Sequence, residues 1–478
     1  MPLTAHAHGD TAALRRYLAP PEIAAVGGGR QGLAALLRAR LELRALEVQL
    51  LLGRAREVLA AGERLAAAFD PEQLPELVGD CWGLLIEALL MRSEYARMEE
   101  LSRRAIDLHQ RRGDRAKAAS RLNGLGVAVE DTGRPEQGLE CYRQALALYR
   151  QLGDIDGIGN SLVNVASVLG ALGRDGEAER TFQDAIATLE RGTDLVTLAY
   201  AYSNYSVLLA RLGRREEARA CLERSRAIRE RVGDRYGLGF SLSNIAVDLI
   251  QSGAWPAGER MLAEAIALRR GIGDRMFLAG DLLSLGALRR DQLRLEEARI
   301  LLQQAAAMGR ELANGGLAAA AHLRLAAVHC DQERWAEAER CLEDAHAAAA
   351  GSRDRPLARL VSARCAAGTG DRDGAQALLE RLAAEDGPWQ ADALLLLAVL
   401  MAAAGRPGAD VERAFERAIG SARRDESCYR AAVAQFRYAE WLKAAGRPWE
   451  TAVAAAEQVF GRLGAAAWTE RIRLLHMV

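Results

Sequence analysis

The sequence repeats itself every 40 residues between Asp114 and Leu312. A Gly-Asp or Thr-Asp pair recurs at this step, and a turn-forming glycine falls midway between most copies. The aspartates are Asp114, Asp154, Asp194, Asp234 and Asp274, and the midway glycines are Gly133, Gly173, Gly213 and Gly253. A fixed period of this size predicts an array of repeats, each of which contacts chiefly its neighbours.

One repeat, residues 154–193, shows what each unit contains. The Asp154 carboxylate is suited to cap a helix N-terminus. Apolar residues then follow at helical spacing from Ile158 to Leu172, and Gly173 is suited to end that helix. A second apolar helical pattern, centred on Phe182, runs up to the next Thr-Asp pair. Each repeat is therefore predicted to be two antiparallel helices joined by a short turn.

Small residues recur at two positions of the second helix, with a large residue between them. The small ones are Gly138, Ala178, Ala218, Gly258, Ala298 and Ala338, then Ala145, Ala185, Ser225, Ala265, Ala305 and Ala345; the large ones include Tyr142, Phe182 and Leu222. The first helix carries its own small residues, among them Gly126 and Ala166. This pattern resembles the tetratricopeptide repeat, which implies an all-α, right-handed solenoid.

The resemblance covers roughly residues 30–465 and is similar to the long, 40-residue version of the repeat. That version occurs in Pins-type adaptors and in the C-terminal arrays of bacterial signal-transduction ATPases and LuxR-type regulators. The chain lacks the phosphate-binding loop GxxxxGK[ST] and a recognisable helix-turn-helix. If it is related to those regulators, it corresponds to their sensor or docking part alone.

The pattern divides the chain into five segments with about eleven helix pairs. We expect an irregular N-terminal segment at 1–29, two irregular pairs at 30–112 with turns near Gly53 and Ser93, and a regular array at 113–350. Three shorter pairs follow at 351–465, and a capping helix at 466–478. In that last helix Trp468, Ile472 and Leu475 share one face, which should cover the final pair around Trp441 and Val459.

Charge and composition exclude several classes of protein. The net charge is −1, with 63 basic and 64 acidic residues and no evident basic stripe, so nucleic-acid binding is not expected. The longest apolar run, residues 393–405, is shorter than the ~20 residues of a membrane span. Seven scattered cysteines and the lack of a secretion signal favour a cytoplasmic protein.

No residue set indicates catalysis or a cofactor, because the usual nucleophile, zinc and dinucleotide motifs are absent. His6 and His8 are read as part of a loose terminus. His322 and His329 would share a helix face, either as metal ligands or as a packed pair. Cys330 and Cys341 lie on successive helices and could approach each other. We therefore predict a protein that is not an enzyme and needs no cofactor.

The candidate site rests on six residues in consecutive first helices. Asparagine recurs at one repeat position, and a polar or aromatic residue lies one turn earlier on the same face. The asparagines are Asn164, Asn204 and Asn244, and the residues before them are Asn160, Tyr200 and Phe240. The resemblance implies that first helices line a concave groove, in which such amides hydrogen-bond an extended peptide.

Two interpretations of these residues remain open. In the groove hypothesis the amides and the nearby tyrosines, Tyr202, Tyr205 and Tyr236 among them, face a bound peptide. In the alternative, the asparagines bridge neighbouring helices and the tyrosines fill the core. We accordingly predict a non-catalytic adaptor that binds a peptide or protein partner. The alternative function is a sensory module that holds a small ligand in an enclosed polar pocket and signals to a partner protein.

Overall fold

The structure is a computed structural model, and it describes residues 24–26, 30–51, 54–92, 94–349, 351–352, 355–387, 389–425 and 427–477. Most of the predicted N-terminal segment 1–29, including His6 and His8, lies outside the described residues, as do the predicted turn residues Gly53 and Ser93. Within the described ranges the chain forms 23 helices and no strand. None of these helices has the length and apolar character needed to cross a membrane.

The chain divides into two compact units, residues 1–228 and 229–478. Unit 1 contains α1 (Arg30–Leu51), α2 (Ala55–Ala67), α3 (Pro75–Met91), α4 (Tyr95–Arg111), α5 (Arg115–Asp131), α6 (Pro135–Leu152), α7 (Ile155–Ala171), α8 (Asp175–Leu189), α9 (Leu195–Arg211) and most of α10 (Arg215–Val232). Unit 2 contains α11 (Arg235–Gln251), α12 (Trp255–Ile272), α13 (Arg275–Asp291), α14 (Leu295–Glu311), α15 (Gly315–Asp331), α16 (Trp335–Ala348), α17 (Pro356–Thr369), α18 (Arg372–Ala383), α19 (Gln390–Ala403), α20 (Gly408–Arg424), α21 (Cys428–Ala444), α22 (Glu450–Leu463) and α23 (Ala466–Met477).

The helices pack in consecutive pairs, so the predicted all-α solenoid is confirmed. Among the described residues there are eleven pairs and one final helix. The first helices of six successive pairs begin at residues 115, 155, 195, 235, 275 and 315, and keep the 40-residue step. From α17 onward the step is shorter, because helices α17, α18 and α19 have only 12 to 14 residues.

The repeated aspartates cap the first helices. The carboxylates of Asp114, Asp154, Asp194, Asp234 and Asp274 each accept a hydrogen bond from the backbone N–H three residues ahead, at 2.8–3.2 Å. Each bond satisfies a donor that the helix start would otherwise leave unpaired. The recurring aspartate therefore sets where each repeat begins.

The turns between helices require a left-handed residue, usually glycine. Gly153 and Gly273, with φ of 69° and 75°, end α6 and α12 in this conformation. Where the repeat lacks glycine, the same turn persists: Leu293, Ala313 and Glu333 have φ of 60°, 53° and 58°. Left-handed backbone is unfavourable for these residues. The packing of the helix pairs thus fixes the turn, and glycine only makes it easier.

Small and large residues interlock in the core as the repeat pattern predicts. A Cβ added to Gly126 of α5 would lie 2.4 Å from the Tyr142 ring of α6, so only glycine admits that ring. One repeat later Ala166, Ala178 and Phe182 are buried together in the unit 1 core. The small residues let the two helices of a pair approach closely, and the ring between them fills the groove.

Unit 2 departs from the expected neighbour-only packing. The Tyr429 hydroxyl and the Trp468 indole N–H both donate to the backbone oxygen of Asp291, at 3.1 and 2.8 Å. Trp255 of α12 and Leu288 of α13 are buried in the same cluster as residues of α21, α22 and α23. The last helices therefore fold back onto helices that lie about 140 to 180 residues earlier in the sequence.

The final helix covers the last pair, and of the two predicted contacts Val459 packs there but Trp441 does not. Trp468 stacks on Phe460, with ring centroids 4.8 Å apart, and meets Phe436 edge-on at 5.6 Å. Val459 and Leu475 pack at the margin of this cluster. Trp441 lies instead with Phe415 in a separate cluster, so its predicted place under the cap is wrong.

Candidate functional site

The first helices of unit 1 leave one stripe of side chains facing solvent. On α9 this stripe consists of Val196, Tyr200, Asn204 and Val207, spaced by three or four residues. The three apolar side chains are 42 %, 43 % and 64 % exposed, whereas Asn204 is partly exposed. Large apolar residues exposed side by side, with an amide among them, form a surface suited to contact another chain.

Two hydrogen bonds from asparagines of unit 1 link neighbouring first helices. The Asn204 amide of α9 donates to Ser167 Oγ of α7 at 3.2 Å. Asn123 of α5 donates to the Asn160 amide oxygen at 3.2 Å, and Asn164 donates to the same oxygen at 3.4 Å. The bond from Asn204 is the kind that the bridging interpretation predicts, whereas the bond from Asn164 lies within α7. Because an amide has two donor hydrogens and an acceptor oxygen, each of these partly exposed groups keeps capacity toward solvent.

Two of the tyrosines near the predicted groove belong to the core. Tyr202 and Tyr205 are both buried, and their hydroxyls donate to carboxylates of Glu190 and Glu179 at 2.9 and 3.1 Å. Tyr205 also stacks on Phe182, with centroids 5.5 Å apart. Tyr200 is therefore the aromatic residue that α9 presents on its exposed stripe, and the prediction of a tyrosine-rich surface on this helix is wrong.

In unit 2 the predicted residue Phe240 belongs to an aromatic patch. Its ring lies 4.3 Å from Phe277 and 5.3 Å from Tyr236, centroid to centroid, in edge-on contacts. Tyr236 and Phe277 are exposed, Phe240 is partly exposed, and Asn244 is exposed one turn further along α11. Edge-on aromatic contacts stabilise such a cluster beyond the area it buries. Phe240 is thus held rigidly within this patch.

A buried arginine packs against the rings of this patch. The Arg269 guanidinium lies 4.8 Å from the Phe240 ring centroid and pairs with Asp274 and Asp281 at 2.6 and 2.7 Å. Burial raises the pKa of the Asp281 carboxyl above its ordinary value, while hydrogen bonds from Ser243 and Arg269 oppose that rise. No pattern within a single helix predicts this arrangement, because its residues come from three helices.

Charged side chains also gather on the first helices of unit 2, in what we name the interior charge cluster. Its members are Arg290, Asp291, Arg324, Asp331, Arg364, Asp392 and Arg430. Asp331 accepts from both Arg290 and Arg364, at 2.5 and 2.7 Å. Burial raises the pKa of Asp291 to about 6, since the Arg290 charge only partly offsets it. Burial also lowers the pKa of the Arg324 guanidinium below its ordinary value.

The two residue pairs that could have suggested a metal or redox site are packed in the interior. His322 and His329 are buried, and burial lowers the pKa of each imidazole. Cys330 and Cys341 are buried in the same cluster, and the Cys330 sulfur lies 3.8 Å from that of Cys365. Within the ranges that the structure describes, no group of three His, Cys, Asp or Glu side chains could hold a metal ion.

Comparison with known families decides the class of the repeat. Residues 122–191 and 197–271 match the sequence profile described as tetratricopeptide repeat. These two segments are tetratricopeptide repeats. The matched segments include α7, α9 and α11, and with them all six predicted site residues. Tetratricopeptide repeats form protein-interaction scaffolds.

Three solved structures illustrate the similarity. BtubC (BKLC) from P. vanneervenii is 22 % identical, with a TM-score of 0.37 over 48 % of this chain and 92 % of its own. A signal-transduction ATPase with a tetratricopeptide repeat sensor, from Pyrococcus horikoshii, is 16 % identical, with a TM-score of 0.49 over 73 % and 54 %. Aspartyl phosphate phosphatase F from Bacillus subtilis is 13 % identical, with a TM-score of 0.49 over 71 % and 91 %. Comparison with curated proteins finds no significant match.

Proposed function

We propose that the protein is a non-catalytic adaptor, and that the exposed stripe of α9 and its neighbours binds an extended segment of a partner protein. The observation that carries this proposal is the row of Val196, Tyr200 and Val207, all exposed on one face of a first helix. Each Å² of apolar area that stays in water lacks the roughly 25 cal/mol of stabilisation that its burial would give. A partner that covers the row recovers that free energy.

The amides beside this row supply the polar part of the contact. An extended peptide presents alternating backbone N–H and C=O groups, and each needs a partner when the peptide leaves water. Asn164 makes one hydrogen bond within α7, and Asn204 makes one to Ser167 of α7. The remaining donor and acceptor sites of both amides can serve the peptide. In this proposal Asn160, Asn164 and Asn204 orient the bound chain, and Tyr200 anchors it. Phe240 and Asn244 offer the same chemistry in unit 2.

Replacing Tyr200 and Asn204 together with alanine is expected to weaken peptide binding by about 2 kcal/mol or more, the range of interface hot spots. Peptides would first be selected from a random display library on the full chain, and affinities measured by fluorescence anisotropy. The melting temperature should change little. Losing the bond to Ser167 costs roughly 1 kcal/mol, and alanine, the better helix former, offsets part of that.

Leu152→Ala is the matched control, since Leu152 is similarly exposed but lies at the end of a second helix, α6. It should leave peptide affinity unchanged. The bridging interpretation predicts the reverse pattern for the double variant: a large fall in melting temperature with peptide affinity preserved at low temperature. That result, or a library that yields no peptide dependent on the stripe, would refute the proposed groove.

The interior charge cluster of unit 2 favours a second candidate function, the sensing of a small anionic ligand. Within the described part of the chain, no carboxylate pairs directly with the Arg324 guanidinium, although the Asp291 charge acts on it. A partly buried arginine without such a partner is costly to the fold. Its planar donors match a carboxylate or phosphate of a ligand.

Arg324→Met is expected to separate this function from a structural role. In thermal-shift titrations with inorganic phosphate and with succinate, we expect at least one anion to stabilise the native chain and neither to stabilise the variant. The variant alone should be as stable as the native chain or more so, because a desolvated cation has been removed. A variant that melts much earlier, or a native chain that responds to neither anion, would argue against sensing at this cluster.

A further inference from the structure

Unit 1 contains a cavity of about 390 Å³ between the first helices α1, α3 and α5, far along the chain from the α9 stripe. Its size falls in the range of small-molecule sites, about 300–1,000 Å³. Charged residues from all three helices line it, among them Glu47, Asp80, Glu87, Lys117 and Arg121. The cavity is therefore polar, and its charges are of both signs.

Two glycines of α3 form the floor of this cavity. A Cβ at Gly79 would lie 2.8 Å from Cε1 of His109, and one at Gly83 would lie 3.1 Å from Nη1 of Arg121. Glycine within a helix is less favourable than alanine. The two glycines let the His109 and Arg121 side chains lie directly against the α3 backbone, and so fix where the Arg121 guanidinium sits.

Some of the charges that line the cavity already have partners. The Asp80 carboxylate accepts from Arg40 at 2.7 Å and from Lys117 at 3.0 Å, and Lys117 also reaches Glu76 at 2.7 Å. These bonds hold the pKa of Asp80 below its ordinary value even though burial, the largest influence, acts to raise it. This network is structural, and two of its members, Asp80 and Lys117, line the cavity.

Arg121 and Glu87 differ from that network. The Arg121 guanidinium donates to Ser120 Oγ at 3.3 Å, and among the described residues no carboxylate forms an ion pair with it. Partial burial lowers its pKa. Glu87 lies in the cavity lining but is exposed to solvent, and partial desolvation together with the nearby Glu47 raises its pKa. Arg121 and Glu87 both line the cavity, and their charges act on each other without forming an ion pair. A ligand between them would find an unpaired cation on one side and an unpaired anion on the other.

We propose that this cavity binds a small zwitterion of the amino-acid class, a free amino acid or a dipeptide. The ligand carboxylate pairs with the planar donors of Arg121, and its ammonium group pairs with Glu87. Arginine is suited to the first role because its fork of N–H groups matches a carboxylate with two parallel hydrogen bonds. Such a ligand pairs with both charges at once, which a simple anion or amine cannot do.

The experiment is calorimetric titration of the full chain with the common amino acids and a set of dipeptides. Each compound that binds is compared with its N-acetyl derivative, which lacks the ammonium group, and with its amide, which lacks the carboxylate. We expect at least one zwitterion to bind with one site per chain, and each blocked derivative to bind at least tenfold more weakly. A panel without a binder, or blocked derivatives that bind equally well, would overturn the proposal.

Three variants assign the binding to the cavity. Arg121→Gln and Glu87→Gln should each weaken binding at least tenfold. Gly83→Ala should also weaken it by displacing Arg121, although alanine is the better helix former and the fold should persist.

Arg115→Gln is the control, because Arg115 is an exposed residue of the same helix outside the cavity. Unchanged affinity in the first two variants, with a native helical spectrum, would place the ligand elsewhere. Peptide binding at the α9 stripe is measured separately, so each idea can fail alone.

Discussion

Replacing Trp468 with alanine is expected to destabilise unit 2 by about 3–5 kcal/mol, the range for removal of a large aromatic side chain from a core. Trp468 is only 3 % exposed, stacks on Phe460 and donates to the backbone oxygen of Asp291. Chemical denaturation followed by circular dichroism measures the loss. Hydrogen exchange should show reduced protection in α13 as well as in α21 to α23, because the indole joins these helices.

Trp468→Phe is the matched control for this prediction. Phenylalanine keeps most of the apolar contact but cannot donate to Asp291, so the expected loss is smaller, roughly 1–2 kcal/mol. It separates the hydrogen bond from the packing. If Trp468→Ala reduces protection only in the last two or three helix pairs, then the contact with α13 does not stabilise unit 2. The terminal helix would then only cap the last pairs.

Local periodicity was sufficient to predict the helix pairs, because each pair is specified by residues close in sequence. Asp154 caps its own helix, Gly173 ends it, and Phe182 fills the groove within the same repeat. The fold-back of unit 2 could not be predicted in this way. It depends on Tyr429 and Trp468 reaching Asp291, across 138 and 177 residues, and no repeat signal encodes such a contact.

The candidate site shows the same division between local and distant information. Helical spacing predicts that Tyr200 shares a face with Asn204, since residues four apart share a side of the helix, and Tyr200 is exposed in the structure. It could not place Tyr202 and Tyr205, because their burial depends on packing against residues of α8 such as Phe182. The Arg121 and Glu87 cavity was missed because neither residue recurs in the repeat, and only packing brings their helices together.

Replacing Arg269 with methionine is also expected to cost unit 2 about 3–5 kcal/mol, the usual effect of breaking a buried ion pair from one side. Arg269 is 1 % exposed, and its loss leaves the carboxylates of Asp274 and Asp281 buried without their cation. The aromatic patch should loosen as well, because Arg269 lies against Phe240 and Phe277. Urea denaturation gives the first quantity, and ring resonances in NMR spectra report the second.

The pH dependence of the Arg269→Met deficit distinguishes loss of charge from loss of packing. Burial already raises the pKa of Asp281 above its ordinary value, and without Arg269 it should rise further. A folded-state pKa above the unfolded one means that the folded chain holds the proton more tightly, so stability falls as pH rises through this range. The deficit should therefore be smaller near pH 4 than at pH 7, and adding Asp281→Asn should recover part of it at pH 7. A deficit that is equal at both pH values, and is not relieved by Asp281→Asn, would mean that Arg269 acts through packing against the rings alone.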